Sequence, residues 1–208
     1  MADSFGISQL IEYFNKMDLK IAQVDREREV IELAFHGNYG QWRMIVGFQQ
    51  NGDVRKLMLV VPQIATITRK KRVECLEAFI AVNYRIAMGK FGFDLEDGEV
   101  RLEETIPLAD NLLTYSQFQL LFGAMMQTVA IYHNLLPRIM YTNSPILEII
   151  RTCEQDFFKD EGELLKTTAS FSLLTASFQQ TGDREEEKEL DVNEVLEEVE
   201  RLLRQGHD

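Results

Sequence analysis

The chain contains few of the residues that build disulfide scaffolds, metal centres and membrane spans. Of its 208 residues, two are cysteine, three are histidine and one is tryptophan. Cys75 and Cys153 lie singly in helical patterns, without framework or metal-ligand spacing, which favours a reducing compartment. No apolar run approaches the roughly 18 residues of a membrane span, and the N-terminus lacks the basic-then-apolar pattern of a secretory signal. We therefore expect a cytoplasmic protein without a membrane partner.

Positive charge is scarce as well. The formal charge at pH 7 is −12, which disfavours sequence-independent binding to nucleic acid, because such binding requires a positive surface. The acidic residues are unevenly distributed along the chain. Residues 183–208 hold 11 acidic and 4 basic residues, a net charge of −7, which leaves −5 for the rest of the chain. This C-terminal segment is therefore expected to behave as a separate acidic tail.

Recognisable catalytic motifs are missing too. The three histidines, His36, His133 and His207, show no spacing with cysteine or aspartate that matches a zinc site. There is no Gly-x-Ser-x-Gly elbow and no glycine-rich phosphate loop, and no pair of carboxylates stands out for acid–base chemistry. We expect no metal, no cofactor and no catalytic residue. An enzyme whose site assembles only in space stays open as an alternative.

Three alternating strands predict an antiparallel meander, with a shorter strand expected ahead of them. They are separated by a four-residue turn and by Asn51-Gly52, a strong signal for a two-residue hairpin turn. These turns set Phe35 opposite Trp42, and Val46 opposite Leu57. In this register nine apolar side chains share one face: Ile31, Leu33, Phe35, Trp42, Met44, Val46, Leu57, Leu59 and Val61.

A central helix that leads into a hairpin is predicted between Thr68 and Pro107. Thr68 is the expected N-cap, and Gly89 is the expected left-handed residue at the end of the helix. Asn83 is polar but lies on the apolar side. We expect its side chain to bond the backbone of a neighbouring strand, with a ligand contact as the alternative. The stripe repeats at three- and four-residue steps: Val73, Leu76, Phe79, Ile80, Asn83 and Ala87.

The hairpin that follows is centred on Asp97-Gly98, a second two-residue turn signal. Closing the turn at these residues places Leu95 opposite Val100 and Phe93 opposite Leu102. Because the alternation agrees with this register on both strands, Phe93 and Leu102 are expected to pack together in the core.

The remaining helices lie on either side of this region. Residues 7–17 form an amphipathic first helix. A long helix begins at the capping box made by Thr114 and Gln117, and Pro137 ends or kinks it. Another helix follows Ser144-Pro145, which is typical of an N-cap followed by a proline at the first helical position.

The candidate interaction residues are a basic cluster, Asn83 and the last helix. The cluster opens the central helix, where cations oppose the helix dipole; a solvated face is the simplest interpretation, and an anionic client or the chain's own acidic tail are the alternatives. The last helix, residues 191–205, is marginal in isolation, so we expect it to dock on a protein surface beside the basic cluster. The residues are Arg69, Lys70, Lys71 and Arg72 in the cluster, and Val195, Val199 and Leu202 on the apolar side of the last helix.

The order of elements indicates an α+β fold, because no parallel strand–helix–strand crossover is present. We expect an antiparallel sheet, formed by a three- to four-stranded meander plus the hairpin, with helices packed on it and a C-terminal helical extension. In domain terms, residues 1–141 form the α+β domain, 142–182 a helical extension and linker, and 183–208 the acidic tail with its amphipathic helix.

Several short stretches of the sequence carry a resemblance to a known family. They are Tyr39–Gly40–Gln41–Trp42, Leu76–Glu77–Ala78–Phe79, Asn83, Gly89–Lys90–Phe91 and Asp97–Gly98–Glu99–Val100. With these residues the sequence resembles the YbjN family of bacterial proteins, which are similar in fold to type III secretion chaperones. The resemblance covers residues 5 to 137 and lies in structural rather than catalytic residues; after Tyr141 the chain departs from it.

The resemblance implies a type III secretion chaperone-like fold and a small, acidic, dimeric protein that holds an extended segment of a client. YbjN-like proteins have been regarded as regulators without a defined biochemical activity. We therefore expect a non-enzymatic module, chaperone-like or regulatory, that binds a protein client or partner. A homodimer built on the 90–107 hairpin or the central helix is also expected. The enzyme remains the alternative, and a nucleic-acid-linked regulator acting through residues 69–72 is the third hypothesis.

Overall fold

The fold is α+β, as the sequence predicts, with helices packed on one antiparallel sheet. The computed structural model describes residues 5–37, 40–52, 54–67, 69–108 and 113–167. Six strands within these ranges form the sheet in the order β1-β2-β3-β4-β6-β5. The elements are α1 (Ile7–Lys16), β1 (Gln23–Asp25), β2 (Val30–Gly37), β3 (Gly40–Asn51), β4 (Val54–Thr66), α2 (Arg72–Arg85), β5 (Lys90–Phe93), β6 (Glu99–Pro107), α3 (Tyr115–Tyr132), α4 (Leu135–Tyr141) and α5 (Ile146–Thr167).

The meander keeps the predicted register at its first connection and shifts at its second. β2 and β3 pair Phe35 with Trp42 as predicted, and the two rings stack with their centroids 4.3 Å apart. β3 and β4 pair Val46 with Leu59, two residues beyond the predicted partner. The reason is that the turn lies one residue further on, with Gly52 in the left-handed region at φ +61°. A shift of two residues leaves every side chain on its predicted face.

The register of the hairpin of β5 and β6 also differs from the predicted one by two residues, because its turn is centred one residue earlier than predicted. Phe93 faces Val100, and Phe91 faces Leu102, so the predicted pairing of Phe93 with Leu102 is wrong. Leu95, predicted to face Val100, instead lies in the connecting loop and is 75% exposed. The core side of both strands is nevertheless the predicted one, because the shift is again an even number of residues.

A five-residue loop, residues 94–98, replaces the predicted two-residue turn. Asp94 donates its backbone N–H to the carbonyl of Glu99 at 2.9 Å and accepts the N–H of Gly98 at 3.0 Å. Gly98 has φ +81°, and its carbonyl accepts the N–H of Ile67 at 2.8 Å. A Cβ atom on Gly98 would lie 2.6 Å from the carbonyl oxygen of Ile67. The loop therefore requires glycine here for its backbone conformation and for the close approach of the preceding β4 segment.

The core lies between one face of the sheet and the helices. The α1 ring of Phe14 packs edge-on against Phe118 and Phe122 of α3, with centroids 5.3 and 5.5 Å apart. α3 begins at the predicted capping box, in which Thr114 Oγ1 accepts the N–H of Gln117 at 3.3 Å. The sheet contributes these buried side chains: Ile31, Leu33, Met44, Val46, Leu57, Leu59, Val61, Val100 and Leu102.

The helices after the hairpin extend this core. α3 ends at Tyr132, five residues before Pro137, and the proline lies in the first turn of α4, where its missing N–H leaves no helical bond unmade. α5 begins just after Ser144-Pro145, as predicted. Its inner side joins the same core through Ile149, Ile150, Cys153 and Phe157. These helices belong to one compact unit that extends to Lys166, and the division predicted after residue 141 stays a prediction.

Two predicted features lie outside the described residues. The Thr68 cap is one of them; α2 begins at Arg72, and its N-cap residue, Lys71, has φ +55° and makes no side-chain cap bond. The helix predicted at 191–205, with Val195, Val199 and Leu202, is the other. α2 ends at Arg85, so Gly89, although left-handed at φ +75°, opens β5 rather than ending the helix.

Candidate functional site

α2 carries apolar residues on two opposite sides. At about 100° per residue, the two sets fall on opposite sides of the helix axis. The inner side is buried and consists of Cys75, Ala78, Phe79 and Val82. The outer side faces solvent and holds Val73, Ile80 and Tyr84, which are 75%, 71% and 93% exposed.

The predicted stripe of α2 is therefore partly wrong. Phe79 is buried, but Val73 and Ile80 point away from the core. Three- and four-residue steps can be drawn through either side of this helix, and the small side chains of Cys75 and Ala78 let the helix lie close to the rest of the core. Val73, Ile80 and Tyr84 are left on the surface.

Asn83 lies at the flank of α2, half-buried, and binds the backbone of β5. Its Oδ1 accepts the N–H of Phe91 at 2.7 Å, and its Nδ2 donates to the carbonyl of Phe91 at 3.0 Å. Lys90 adds two bonds from its ammonium group to the carbonyls of Asn83 and Ile86, at 2.9 and 2.7 Å. The amide of Asn83 therefore holds the outermost strand of the sheet against the helix.

The basic cluster divides into two exposed and two packed side chains. Arg69 and Lys70 are exposed. Lys71 Nζ donates to the carbonyl of Ile139 at 2.7 Å and to the carbonyl of Thr142, so it neutralises the C-terminal end of α4. The guanidinium of Arg72 lies over the ring of Phe93, 5.5 Å from its centroid. The cluster therefore presents two solvent-facing cations rather than four.

A groove that was not predicted from the sequence lies between the end of α2, α3 and α5. Residues 84–88 form one wall, Ala124, Thr128 and Ile131 of α3 the floor, and Phe158 of α5 the opposite wall. Its volume is about 580 Å³. We call this the α5 groove. A smaller cavity of about 450 Å³ lies along α5 beside it, next to Arg151 and Lys159, and shares Phe158.

A hydrogen-bonded network closes the base of the α5 groove. Arg85 donates to both carboxylate oxygens of Glu154, at 2.8 and 2.6 Å, and the hydroxyl of Tyr132 donates to the same carboxylate at 2.9 Å. Burial, together with the carboxylate beside it, raises the pKa of the Tyr132 phenol well above its usual value. The network therefore joins α2, α3 and α5 with a phenol that stays protonated at neutral pH.

The histidines and cysteines considered for chemistry do not form a metal-type cluster among the described residues. His36 is exposed on β2, and His133 Nδ1 lies 2.7 Å from the carbonyl oxygen of Ala130. Cys75 and Cys153 are both buried, and burial raises the pKa of each thiol. Thiols in this state are neutral and weakly nucleophilic. His207 falls outside the described residues.

The described part of the chain contains neither a metal-type cluster nor a membrane-spanning helix. No cluster of three or more His, Cys, Asp and Glu side chains is placed there as a metal ion would require. None of the helices described combines the length and apolar character needed to cross a membrane.

The α5 groove was not predicted because the residues that line it are far apart in the sequence. One sequence pattern on α5 does indicate an additional contact surface. Leu147, Arg151, Glu154 and Phe158 repeat at three- and four-residue steps along α5, on a side about 110° around the helix axis from the buried Ile149, Ile150 and Phe157. A helix with apolar residues on a second side indicates a second contact surface. Leu147 and Phe158 are 48% and 57% exposed.

Comparisons with known proteins give similarities of structure. No family model matches the chain, and no curated protein sequence matches it. Among solved structures, YbjN from E. coli is 12% identical, with a TM-score of 0.47 over 61% of this chain and 87% of that one. The structure of the HopA1–SchA chaperone–effector complex is 10% identical, with a TM-score of 0.44 over 62% of this chain and 94% of that one. The ExsC–ExsE complex is 20% identical, with a TM-score of 0.44 over 62% and 92%.

Proposed function

We propose that this chain is a protein-binding module that acts without catalysis and pairs with a second copy of itself through the outer side of α2. The observation that carries the proposal is the exposure of Val73, Ile80 and Tyr84 on one side of a helix whose other side is in the core. A helix that is apolar on both sides is usually covered on both sides. An exposed apolar surface of this kind is typical of protein contacts.

The geometry of α2 suits a two-fold pairing. Val73 and Tyr84 are eleven residues apart, about 16 Å along a helix axis, and Ile80 lies between them. When two copies meet around a two-fold axis, each residue of the surface contacts the matching surface of the partner. Glu77 lies on the same side of α2 and is exposed, which supplies a charge at the edge of the contact, where charges influence specificity more than affinity.

Sedimentation velocity on the full chain tests this proposal. We expect a species of twice the 24.1 kDa chain mass at tens of micromolar protein. Ile80→Asp should shift the chain to the monomer, because it would place an unpaired carboxylate in the contact. Val54→Asp is the matched control, because Val54 is 49% exposed at the far end of the sheet, and it should leave the dimer intact.

A third variant distinguishes a dimer contact on α2 from one on the hairpin, the other surface on which a dimer contact is expected. Leu95 is as exposed as Val73, at 75%, and lies in the hairpin loop. If Leu95→Asp dissociates the dimer and Ile80→Asp does not, the contact is on the hairpin. A monomer at every concentration tested would remove the self-pairing from the proposal altogether.

A further inference from the structure

The α5 groove has the shape of a site for apolar side chains. Its floor is made of Ala124, Thr128 and Ile131, and the hydroxyl of Thr128 is bonded to the carbonyl of Ala124 at 2.9 Å. Two exposed aromatic rings, Tyr84 and Phe158, stand at its sides. Its volume of about 580 Å³ is within the range of roughly 300–1,000 Å³ for ligand pockets. The groove is open along one side, so it can admit side chains from another protein chain.

The polar groups at the base of the groove already have partners. The carboxylate of Glu154 accepts hydrogen bonds from Nε and Nη2 of Arg85 and from the hydroxyl of Tyr132. Breaking the two bonds between Arg85 and Glu154 would leave a guanidinium and a carboxylate without their partner. An occupant therefore gains little from polar contacts at the base, and its binding there must come from apolar burial.

Free charge is found instead along the outer side of α5. Arg151 and Lys159 line the smaller cavity next to Phe158, and neither makes an ion pair with the residues that the structure describes. Arg151 lies three residues before Glu154 and Lys159 five residues after it, and both are exposed. In a chain of net charge −12, two unpaired cations beside an apolar groove favour an occupant that carries carboxylates.

We propose that the α5 groove binds an acidic amphipathic helix of a partner protein. Its apolar side chains lie between Tyr84 and Phe158, and its carboxylates pair with Arg151 and Lys159. Leu147 and Phe158 are eleven residues apart on α5, about 16 Å, which matches three turns of a helix lying along α5. A helix presents apolar residues on one side at i, i+4, i+7 and i+11 over this distance. This inference rests on the proposed function only in treating the chain as a protein-binding module.

The test uses two synthetic peptides of about 20 residues, long enough for measurable helix content. Both carry leucine at i, i+3, i+4 and i+7. One has glutamate at the remaining positions near the leucines and the other has lysine. Binding of each labelled peptide to the full chain is measured by fluorescence anisotropy at low and at physiological salt. We expect the acidic peptide to bind at least about tenfold more tightly than the basic one, and salt to reduce the difference.

Variants of the chain locate the binding. Arg151→Glu with Lys159→Glu should weaken the acidic peptide about tenfold or more and strengthen the basic peptide. Phe158→Ala should weaken both peptides, because it removes an apolar wall. Lys20→Glu is the matched charge reversal and Leu95→Ala the matched apolar truncation; both residues are exposed elsewhere on the described surface, and both variants should bind as the parent chain does.

Three outcomes would overturn the inference. The peptides bind with equal affinity, or neither binds, or the reversal at Arg151 and Lys159 has no more effect than Lys20→Glu. Sedimentation of the same variants separates this inference from the proposed self-pairing. If the Phe158 or Arg151 variants turn the dimer into a monomer, the groove belongs to the contact between copies and not to a partner helix. If Ile80→Asp abolishes the dimer while peptide binding persists, peptide binding does not require self-pairing, although Tyr84 lies at both surfaces.

Discussion

Replacing Asn83 by alanine should weaken the fold more than its position at the flank of a helix suggests. The substitution removes the bonds of 2.7 and 3.0 Å to the N–H and carbonyl of Phe91. Phe91 is only 8% exposed, so water replaces these bonds poorly. Each buried polar group left without a partner costs about 1–3 kcal/mol, and alanine returns roughly 0.6 kcal/mol through its higher helix propensity. We expect a net loss of about 2 kcal/mol in the free energy of unfolding.

Urea denaturation followed by tryptophan fluorescence measures this loss. Trp42 is the only tryptophan in the chain, and its stacking on Phe35 makes its emission sensitive to the sheet. Protein concentration must be held constant, because a self-pairing chain has a concentration-dependent stability. Far-UV circular dichroism should give the same midpoint if unfolding is two-state.

Two further variants decide whether the reasoning about Asn83 is right. Asn15→Ala makes the same change at an exposed position near the end of α1 and should alter stability by no more than about 0.5 kcal/mol. Asn83→Asp keeps an acceptor for the N–H of Phe91 but sets a carboxylate against its carbonyl, so it should be at least as unstable as the alanine variant. If Asn83→Ala behaves like Asn15→Ala, the amide does not hold β5 to the helix in solution.

Three more predictions concern the backbone, a helix end and a buried phenol. Gly98→Ala should lower the free energy of unfolding by at least about 2 kcal/mol, because its Cβ would lie 2.6 Å from a backbone oxygen; Gly52→Ala, also left-handed but in open space, should lose less in the same urea assay. Lys71→Met should cost roughly 1–2 kcal/mol by removing charge-assisted bonds to the end of α4, whereas Lys70→Met, at the exposed neighbour, should be near neutral. The raised pKa of Tyr132 means that the folded chain keeps a proton which the unfolded chain loses above about pH 10. Stability should therefore fall as pH rises past that value, and Tyr132→Phe should flatten the decline in urea midpoints measured between about pH 9 and pH 11.

The strands could be predicted from the sequence because their period is two. Ile31, Leu33 and Phe35 must lie on one face whatever the exact register, and turn residues fix the partner strand to within two positions. The strand registers predicted from the turns at Asn51-Gly52 and Asp97-Gly98 each differ from the observed registers by two residues. At the second hairpin, Asp94 and Asp97 accept backbone N–H groups two residues on, from Glu96 and Glu99. These local bonds stabilise a longer loop that turn propensity alone does not predict.

The outer side of α2 and the α5 groove could not be predicted with the same certainty. Periodicity shows that α2 has apolar residues, but it cannot choose which of two apolar sides faces the core. That choice depends on how closely the helix approaches its neighbours, and Ala78 and Cys75 allow the closer approach. The groove depends on contacts between Arg85 and Glu154, which are 69 residues apart. No local pattern specifies such a contact.

The amide of Asn83 also limits the ways in which copies of this chain can polymerise. A sheet that adds strands end over end needs two free edges, one to donate and one to receive. At β5 the N–H and carbonyl of Phe91 that point away from β6 are both occupied by Asn83. Among the described strands, pairing between copies at β5 is therefore hindered at Phe91, and β1 is left as the more accessible edge; β1 meeting β1 is a closed two-fold contact that stops after two chains.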